Sequence, residues 1–186
     1  ILFLTEHKSV ADFFKLNVSR ICDDDNAVSE QTVEKKNEIT LYSLSIESEK
    51  NRLKILNYFR LDSSRKLTQN VLPKSKFYPQ LISGIFLSCG SVNNPNKTYH
   101  LEFVLPTLEL CNDFGALIID NFNILPKHTE RKNSQIVYMK ESENIIDMLT
   151  VMGAVNSSLE IMNVKIYKDM KNKINRMVNC DNANIE

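Results

Sequence analysis

Residues 81–92 constrain the fold of this chain more than any other segment. They read LISGIFLSCGSV, an apolar helix-like run that holds two of the four glycines among the 186 residues. Glycine in a helix interior costs roughly 1 kcal/mol relative to alanine, so Gly84 needs a structural reason. Ser83, Gly84 and Ser88 are small enough to let a second helix approach closely. The segment therefore indicates a tightly packed helix, with an ordinary core helix carrying small residues as the alternative.

The first half of the chain alternates strand and helix patterns. An apolar run at residues 1–4 predicts a buried strand, and residues 10–18 follow helical spacing. Residues 39–46 alternate with period two, as a half-buried strand does. Ser48 is a suitable N-cap for a helix whose expected apolar positions are Leu53, Leu56 and Phe59.

The second half repeats this order after an opening helix at residues 77–89. A strand pattern at residues 99–105 precedes a helix that starts near Thr107, and two adjacent strands follow at residues 127–132 and 134–140. Ser142 is the expected cap of the next helix, which Gly153 ends.

The two halves align, which predicts an internal repeat. Residues 3–13 match 104–114 at an offset of 101, and residues 47–50 match 141–144 at an offset of 94. Coincidental αβ alternation is the alternative. Because the second copy opens with a helix and the first opens on a strand, we expect a partner helix upstream of Ile1. The absence of an initiator Met agrees with a fragment of a longer protein.

Residues 83–91 resemble the LAGLIDADG helix of homing endonucleases, in which the pattern is small, Gly, two apolar residues, Asp, small, acid, Gly, Ser. In that family two such helices pack together, and the last acid of each holds a divalent metal for phosphodiester hydrolysis. Cys89 stands at the position of that acid, and Leu87 replaces the Asp. A neutral thiol is a poor ligand for a hard cation such as Mg²⁺. We therefore expect the fold without catalysis, and no metal or cofactor.

A second resemblance covers about residues 76–186. Residues 90–102 (GSVNNPNKTYHLE) are similar to the GGSVxDPxKxYHLE stretch of WhiA-type bacterial regulators, and three later stretches (137–154, 163–170, 175–184) are similar to further family segments. Residues 1–60 match only in pattern. The resemblance implies an α+β, LAGLIDADG homing-endonuclease-like fold of two pseudo-symmetric repeats with antiparallel sheets and paired helices. Family members are DNA-binding transcription regulators tied to cell division, chromosome organisation and, in some bacteria, sporulation.

The resemblance and the repeat together predict the domain organisation. The first repeat is expected at residues 1–60, a linker at 61–75 and the second repeat at 76–156. A helical segment at residues 157–186 then leads toward a helix-turn-helix domain that this chain lacks.

Two basic regions are the candidates for DNA contact, and the resemblance implies that the fold would bind DNA through a curved sheet in the major groove. The candidate residues are Lys127, His128, Arg131, Lys132 and Lys140 in the second-half hairpin and Lys165, Lys168 and Arg176 in the last helix. Arg and Lys pair with phosphates or with guanine edges. In the first half, Lys35 and Lys36 lie among acids such as those at residues 23–25, so that half is expected to bind poorly. Solvated surfaces, or in the last helix a docking face for the absent domain, are the alternatives.

Composition excludes several other classes. Lys plus Arg equals Asp plus Glu at 23 each, and the four cysteines lack zinc-type or redox-type spacing. No apolar run approaches the roughly 20 residues that span a bilayer. His100 and Glu102 share one strand face, for which a structural hydrogen-bonding role is favoured over acid–base catalysis.

These observations predict a non-enzymatic protein of the cytoplasm and nucleoid. Its expected partners are double-stranded DNA and proteins of transcription or cell division, without a membrane. Two alternatives remain open: a nuclease with an unusual metal site, and an interaction domain that leaves DNA recognition to the helix-turn-helix.

Overall fold

The chain divides into two units, Ile1–Ser75 and Lys76–Glu186, each with its own antiparallel sheet and helices. The computed structural model describes residues 1–34, 40–61 and 72–183. Lys35, Lys36, most of the expected linker and the last three residues lie outside the described residues. The predicted α+β class with antiparallel sheets is confirmed.

The described residues of the first unit form three strands and two helices. In chain order they are β1 (Leu2–Thr5), α1 (Lys8–Cys22), β2 (Ser29–Glu34), β3 (Thr40–Ser45) and α2 (Glu49–Tyr58). β3 is the central strand and pairs with β1 and β2. Ala11, Val18, Leu44 and Ile55 are buried in one cluster, so α1 and α2 cover one face of the sheet.

Two elements of the first unit, β1 and α2, are present as predicted, but the predicted burial of their apolar side chains is wrong. β1 is an edge strand, and Leu2 is 64% exposed because alternation directs only every second side chain toward the core. In α2, Leu53 is 51% exposed, and the buried residues are Asn51 and Ile55. Ser48 does cap α2, accepting a hydrogen bond from the Asn51 backbone.

The acidic run at residues 23–25 directly follows α1, and Asp23 is the C-cap of that helix. Asp23 adopts a left-handed conformation (φ 49°, ψ 49°), and its amide donates to the Ser19 carbonyl. Asp24 accepts a 2.8 Å hydrogen bond from the side-chain amide of the buried Asn51. This bond and that of the Asn26 amide keep the pKa of Asp24 below its usual value. Asp24 therefore joins α1 to α2.

Over residues 76–183, the second unit has four strands and four helices. In chain order they are α3 (Tyr78–Cys89), β4 (Gly90–Val92), β5 (Leu101–Leu105), α4 (Leu108–Phe122), β6 (Lys127–Arg131), β7 (Ser134–Met139), α5 (Ser142–Val151) and α6 (Val155–Ala183). A single 3₁₀ turn, Ser75–Phe77, precedes α3. The strand order in the sheet is β4-β5-β7-β6.

Phe103 lies at the centre of the second core. Its ring packs edge-on against Phe114 of α4, with centroids 4.8 Å apart, and against Phe86 of α3 at 5.8 Å. Leu101 and Met139 are also fully buried on this face of the sheet. Hence α3 and α4 cover the face to which Phe103 belongs.

α5 and α6 form an antiparallel pair after the sheet. Ser142 is the first residue of α5 and Glu141 is its N-cap, so the predicted cap lies one residue too late. Gly153, at φ +79°, separates the helices as expected. In α6 Ser158 and Ile161 are buried, whereas every residue from 169 to 183 is exposed.

The described elements of the first unit recur in the second with the same chain order and strand order, and the second unit has α3, β4 and α6 in addition. α1 (Lys8–Cys22) and α4 (Leu108–Phe122) correspond at an offset of 100, and both are followed by a left-handed C-cap. α2 (Glu49–Tyr58) and α5 (Ser142–Val151) correspond at an offset of 93. The predicted offsets of 101 and 94 are each one residue too large. They superpose residues that are identical by chance, whereas the offsets of 100 and 93 superpose the ends of the helices.

Candidate nucleic-acid interface

The second sheet has a polar face opposite the face that bears Phe103. Directly paired residues share a face of an antiparallel sheet, and Tyr138 of β7 pairs with Glu102 of β5 and Lys127 of β6. Arg131 is four residues beyond Lys127 and shares its face, and His100 is two residues before Glu102. We call this set (His100, Glu102, Lys127, Arg131, Tyr138), together with Lys140 beside the Tyr138 ring, the polar face.

Glu102 is the centre of a hydrogen-bonded cluster on the polar face. Its two carboxylate oxygens lie 2.9 Å from His100 Nε2 and 2.9 Å from Arg131 Nη2. Burial raises the pKa of Glu102, but the hydrogen bonds from His100 and Arg131 outweigh it, so the pKa lies below its usual value. His100 therefore has the predicted hydrogen-bonding role, and its ring also stacks on Tyr138 at 5.7 Å.

Lys127 and Lys140 flank Tyr138. Lys127 Nζ donates to Glu141 Oε1 at 2.6 Å, a bond that raises the pKa of Lys127 and lowers that of Glu141. Lys140 Nζ lies 5.4 Å from the centroid of the Tyr138 ring. The side chains of Lys127 and Glu141 are about half exposed, and exposed ion pairs contribute little free energy, so a phosphate can replace Glu141 at low cost.

His128 and Lys132 lie elsewhere in the hairpin. His128 pairs with the core residue Val137, so it projects from the face opposite Lys127 and Arg131, where its Nε2 lies 2.7 Å from Gln135 Oε1. Lys132 and Asn133 form the two-residue turn, both with positive φ, as in a type I′ hairpin. The five hairpin candidates are thus split between a face, its reverse side and the turn.

Two of the three α6 candidates, Lys165 and Lys168, bind other parts of their own unit. Lys165 forms an ion pair with Glu143 of α5, which holds the pKa of Glu143 at about 2. Lys168 Nζ donates to the Pro95 carbonyl at 2.6 Å and lies 4.5 Å from the Tyr99 ring centroid. Arg176 belongs to the exposed end of α6. Lys165 and Lys168 therefore attach α6 to α5 and to the turn before β5.

Cys89 lies at the C-terminal end of α3 and is half-buried. Its thiol contacts the Ile85 carbonyl at 3.3 Å, and burial raises its pKa. Across the part of the chain that the structure describes, no group of three or more His, Cys, Asp or Glu side chains is arranged to hold a metal ion. Within the same residues, no helix is long and apolar enough to cross a membrane.

Comparison with known proteins defines the class of this fold as a LAGLIDADG-like domain. The family model "WhiA LAGLIDADG-like domain" matches residues 79–171. A solved full-length DUF199/WhiA from Thermatoga maritima superposes with a TM-score of 0.66 at 21% identity, covering 98% of this chain and 58% of that one. The N-terminal LAGLIDADG domain of DUF199/WhiA gives 0.58 at 21% identity, covering 82% and 72%.

The chain belongs to the WhiA family. It is 43% identical over 130 residues to the probable cell division protein WhiA of Clostridium botulinum strain Hall, covering 70% of this chain and 40% of the relative. Against the protein of the same name from Clostridium perfringens strain SM101 it is 44% identical over 119 residues, covering 64% and 37%. The chain thus spans about 40% of the length of these curated relatives.

Proposed function

We propose that this chain is a non-catalytic DNA-binding region of a nucleoid-associated transcription regulator that acts in cell division, as the names of its relatives suggest. Chromosome organisation or sporulation are the further processes expected from the family. The observation that carries the proposal is the polar face, on which Lys127 and Lys140 flank Tyr138 and Arg131 binds the neighbouring Glu102. Exposed Lys and Arg side chains on a sheet are suited to phosphate and base-edge contacts.

Comparison between the units supports the assignment to the second sheet. The strand pairings of the two sheets correspond, and they make Leu2, Ser29 and Val33 the first-unit equivalents of Glu102, Lys127 and Arg131. None of these three carries a charge. Glu30, on the other side of that sheet, is paired with Lys8 and Lys15 of α1. The charged set is thus a property of the second unit and not of the shared fold.

The test is a titration of a short mixed-sequence DNA duplex with the 186-residue chain over a salt series. Each phosphate contact contributes about 0.9 to the slope of log K against log salt. The double variant Lys127→Ala/Lys140→Ala is expected to lower the slope by about 2. Two controls are Ser29→Ala, the first-unit equivalent of Lys127, and Lys171→Ala/Lys173→Ala, which removes the same charge from α6.

The outcomes separate the competing functions. A loss confined to Lys127→Ala/Lys140→Ala supports the proposal, and an equal loss in the α6 variant assigns DNA contact to that helix instead. Absence of binding even at low salt contradicts the proposal and favours an interaction domain. That second candidate is favoured by exposed apolar side chains on α6, where Ile166, Met170 and Ile174 are each more than half exposed.

We propose that the chain has no nuclease activity, because Cys89 stands at the position of the metal-binding acid. A thiol of raised pKa is an unsuitable Mg²⁺ ligand. Supercoiled plasmid incubated with the chain and Mg²⁺ or Mn²⁺ is expected to remain uncut at concentrations that saturate DNA binding. Nicking or linearisation that disappears in a Cys89→Ala variant would establish the nuclease alternative.

A further inference from the structure

Arg131 lies along the polar face instead of projecting away from it. It pairs with Ser134, whereas its hydrogen-bond partner Glu102 pairs with Tyr138, four residues along the same strand. Ile136 is halfway between those two positions on that face and is only 1% exposed. The Arg131 side chain therefore extends across the sheet over the position of Ile136 to reach Glu102.

Glu102 balances the charge of Arg131 and fixes its direction. The Glu102 side chain is 12% exposed, while that of Arg131 is 58% exposed, so the carboxylate is at the base and the guanidinium at the surface. A guanidinium has five N–H donors, of which this bond uses one. Four donors remain, held in a known direction on an accessible surface.

This arrangement favours base reading over phosphate attraction. Glu102 is largely buried and is not displaced as readily as Glu141, the exposed partner of Lys127, so the balanced Arg131 adds little to the attraction for a phosphate. The planar fork of Arg matches the two acceptors, O6 and N7, on the major-groove edge of guanine. Glu102 itself is unsuited to cytosine, because its side chain is only 12% exposed and lies beneath the Arg131 guanidinium.

We propose that Arg131, held by Glu102, reads a guanine in the major groove, with Arg131 as the specificity-determining residue and Glu102 as its positioning residue. The inference rests on the proposed DNA binding and adds the base that is recognised. It divides the polar face by role: Lys127 and Lys140 contribute affinity, and Arg131 contributes sequence preference.

The experiment selects bound duplexes from a randomised DNA pool with the 186-residue chain and sequences them. The wild type is expected to enrich guanine at one position by about 5- to 150-fold, the range of a bidentate Arg–guanine contact. Arg131→Lys keeps the charge and loses the fork, so the enrichment should fall while the salt slope stays unchanged. Lys132→Asn is the matched control, since Asn tolerates positive φ, and it should keep the enrichment.

Glu102→Gln supplies a second readout that a structural role alone would not produce. Without the carboxylate, Arg131 becomes an unbalanced cation, so the guanine enrichment should fall while the salt slope rises by about 1. The proposal is overturned if Arg131→Lys weakens all duplexes equally or leaves the enrichment intact. Wild-type binding without any guanine preference overturns it and leaves the proposed function standing, whereas no binding at all removes both.

Discussion

Glu102 is a mostly buried carboxylate with two nitrogen partners, and this makes its contribution dependent on pH. Its folded-state pKa is lowered from 4.5, so the folded protein binds its proton less readily than the unfolded chain does. The stabilisation is therefore fully present above about pH 5 and is lost as pH falls through the lowered pKa.

The corresponding prediction compares the free energy of unfolding of the wild type and Glu102→Gln in urea from neutral to acidic pH. The advantage of the wild type should be constant near neutrality and should shrink below about pH 4.5. Glu130→Gln, which removes one carboxylate from an exposed position in the same hairpin, is the matched control. An advantage that increases toward acidic pH would contradict the assigned hydrogen bonds.

At the scale of single residues, the sequence predicts that His100 and Glu102 lie together, but it does not predict that Arg131 joins them. Strand alternation places His100 and Glu102 on one face, and the structure confirms their hydrogen bond. Arg131 is 29 residues away from Glu102, and its contact depends on the two-residue turn that sets the register of β6 on β7. A shift of one residue in that register would exchange the faces of Arg131 and His128, so composition and spacing alone do not define the site.

Within α1, the corrected repeat alignment distinguishes two neighbouring phenylalanines. The offset of 101 equates Phe13 with the buried Phe114, whereas the observed offset of 100 equates Phe14 with it. Phe13 is 61% exposed, and Phe14 stacks on Phe3 with centroids 4.7 Å apart. The second unit has the equivalent pair in Phe103 and Phe114.

Phe14→Ala is accordingly expected to destabilise the protein by about 2–4 kcal/mol, slightly less than a fully buried Phe, because Phe14 is only partly covered. Phe13→Ala, the same substitution one residue earlier, should change stability by at most about 0.5 kcal/mol. Urea denaturation of both variants gives the comparison. Equal losses, or a larger loss for Phe13→Ala, would show that the alignment based on sequence identities is the better one.

Most elements could be predicted, whereas their burial could not. Caps and periodicity are local signals, and Ser48, Thr107 and Gly153 stand at the ends of helices as expected. The exposed sides of β1 and α2 depend on which strand is at the edge and which helix face meets the core. Both are tertiary properties, so apolar residues such as Leu2 and Leu53 gave the wrong expectation.

For the whole molecule, the net charge of each unit and the placement of its charged side chains make opposite predictions about which unit binds DNA. Counted over the sequence, residues 1–75 have 12 basic and 11 acidic side chains (net +1), and residues 76–186 have 11 and 12 (net −1). If net charge governed DNA binding, the first unit would bind better. If the polar face governs it, the second unit binds despite its negative balance, because contacts to phosphate are made locally within the screening length of about 10 Å.

We therefore expect residues 76–186, produced alone, to bind DNA with the salt slope of the whole chain, and residues 1–75 to show no binding. A cooperative thermal transition of each piece, followed by circular dichroism, establishes that the pieces are folded before binding is compared. Binding by residues 1–75, or a slope for residues 76–186 that differs by more than about 1 from that of the whole chain, would place phosphate contacts outside the polar face. The net charges of the two pieces differ by only two. A difference in DNA binding between them would therefore follow from the positions of the basic side chains and not from their number.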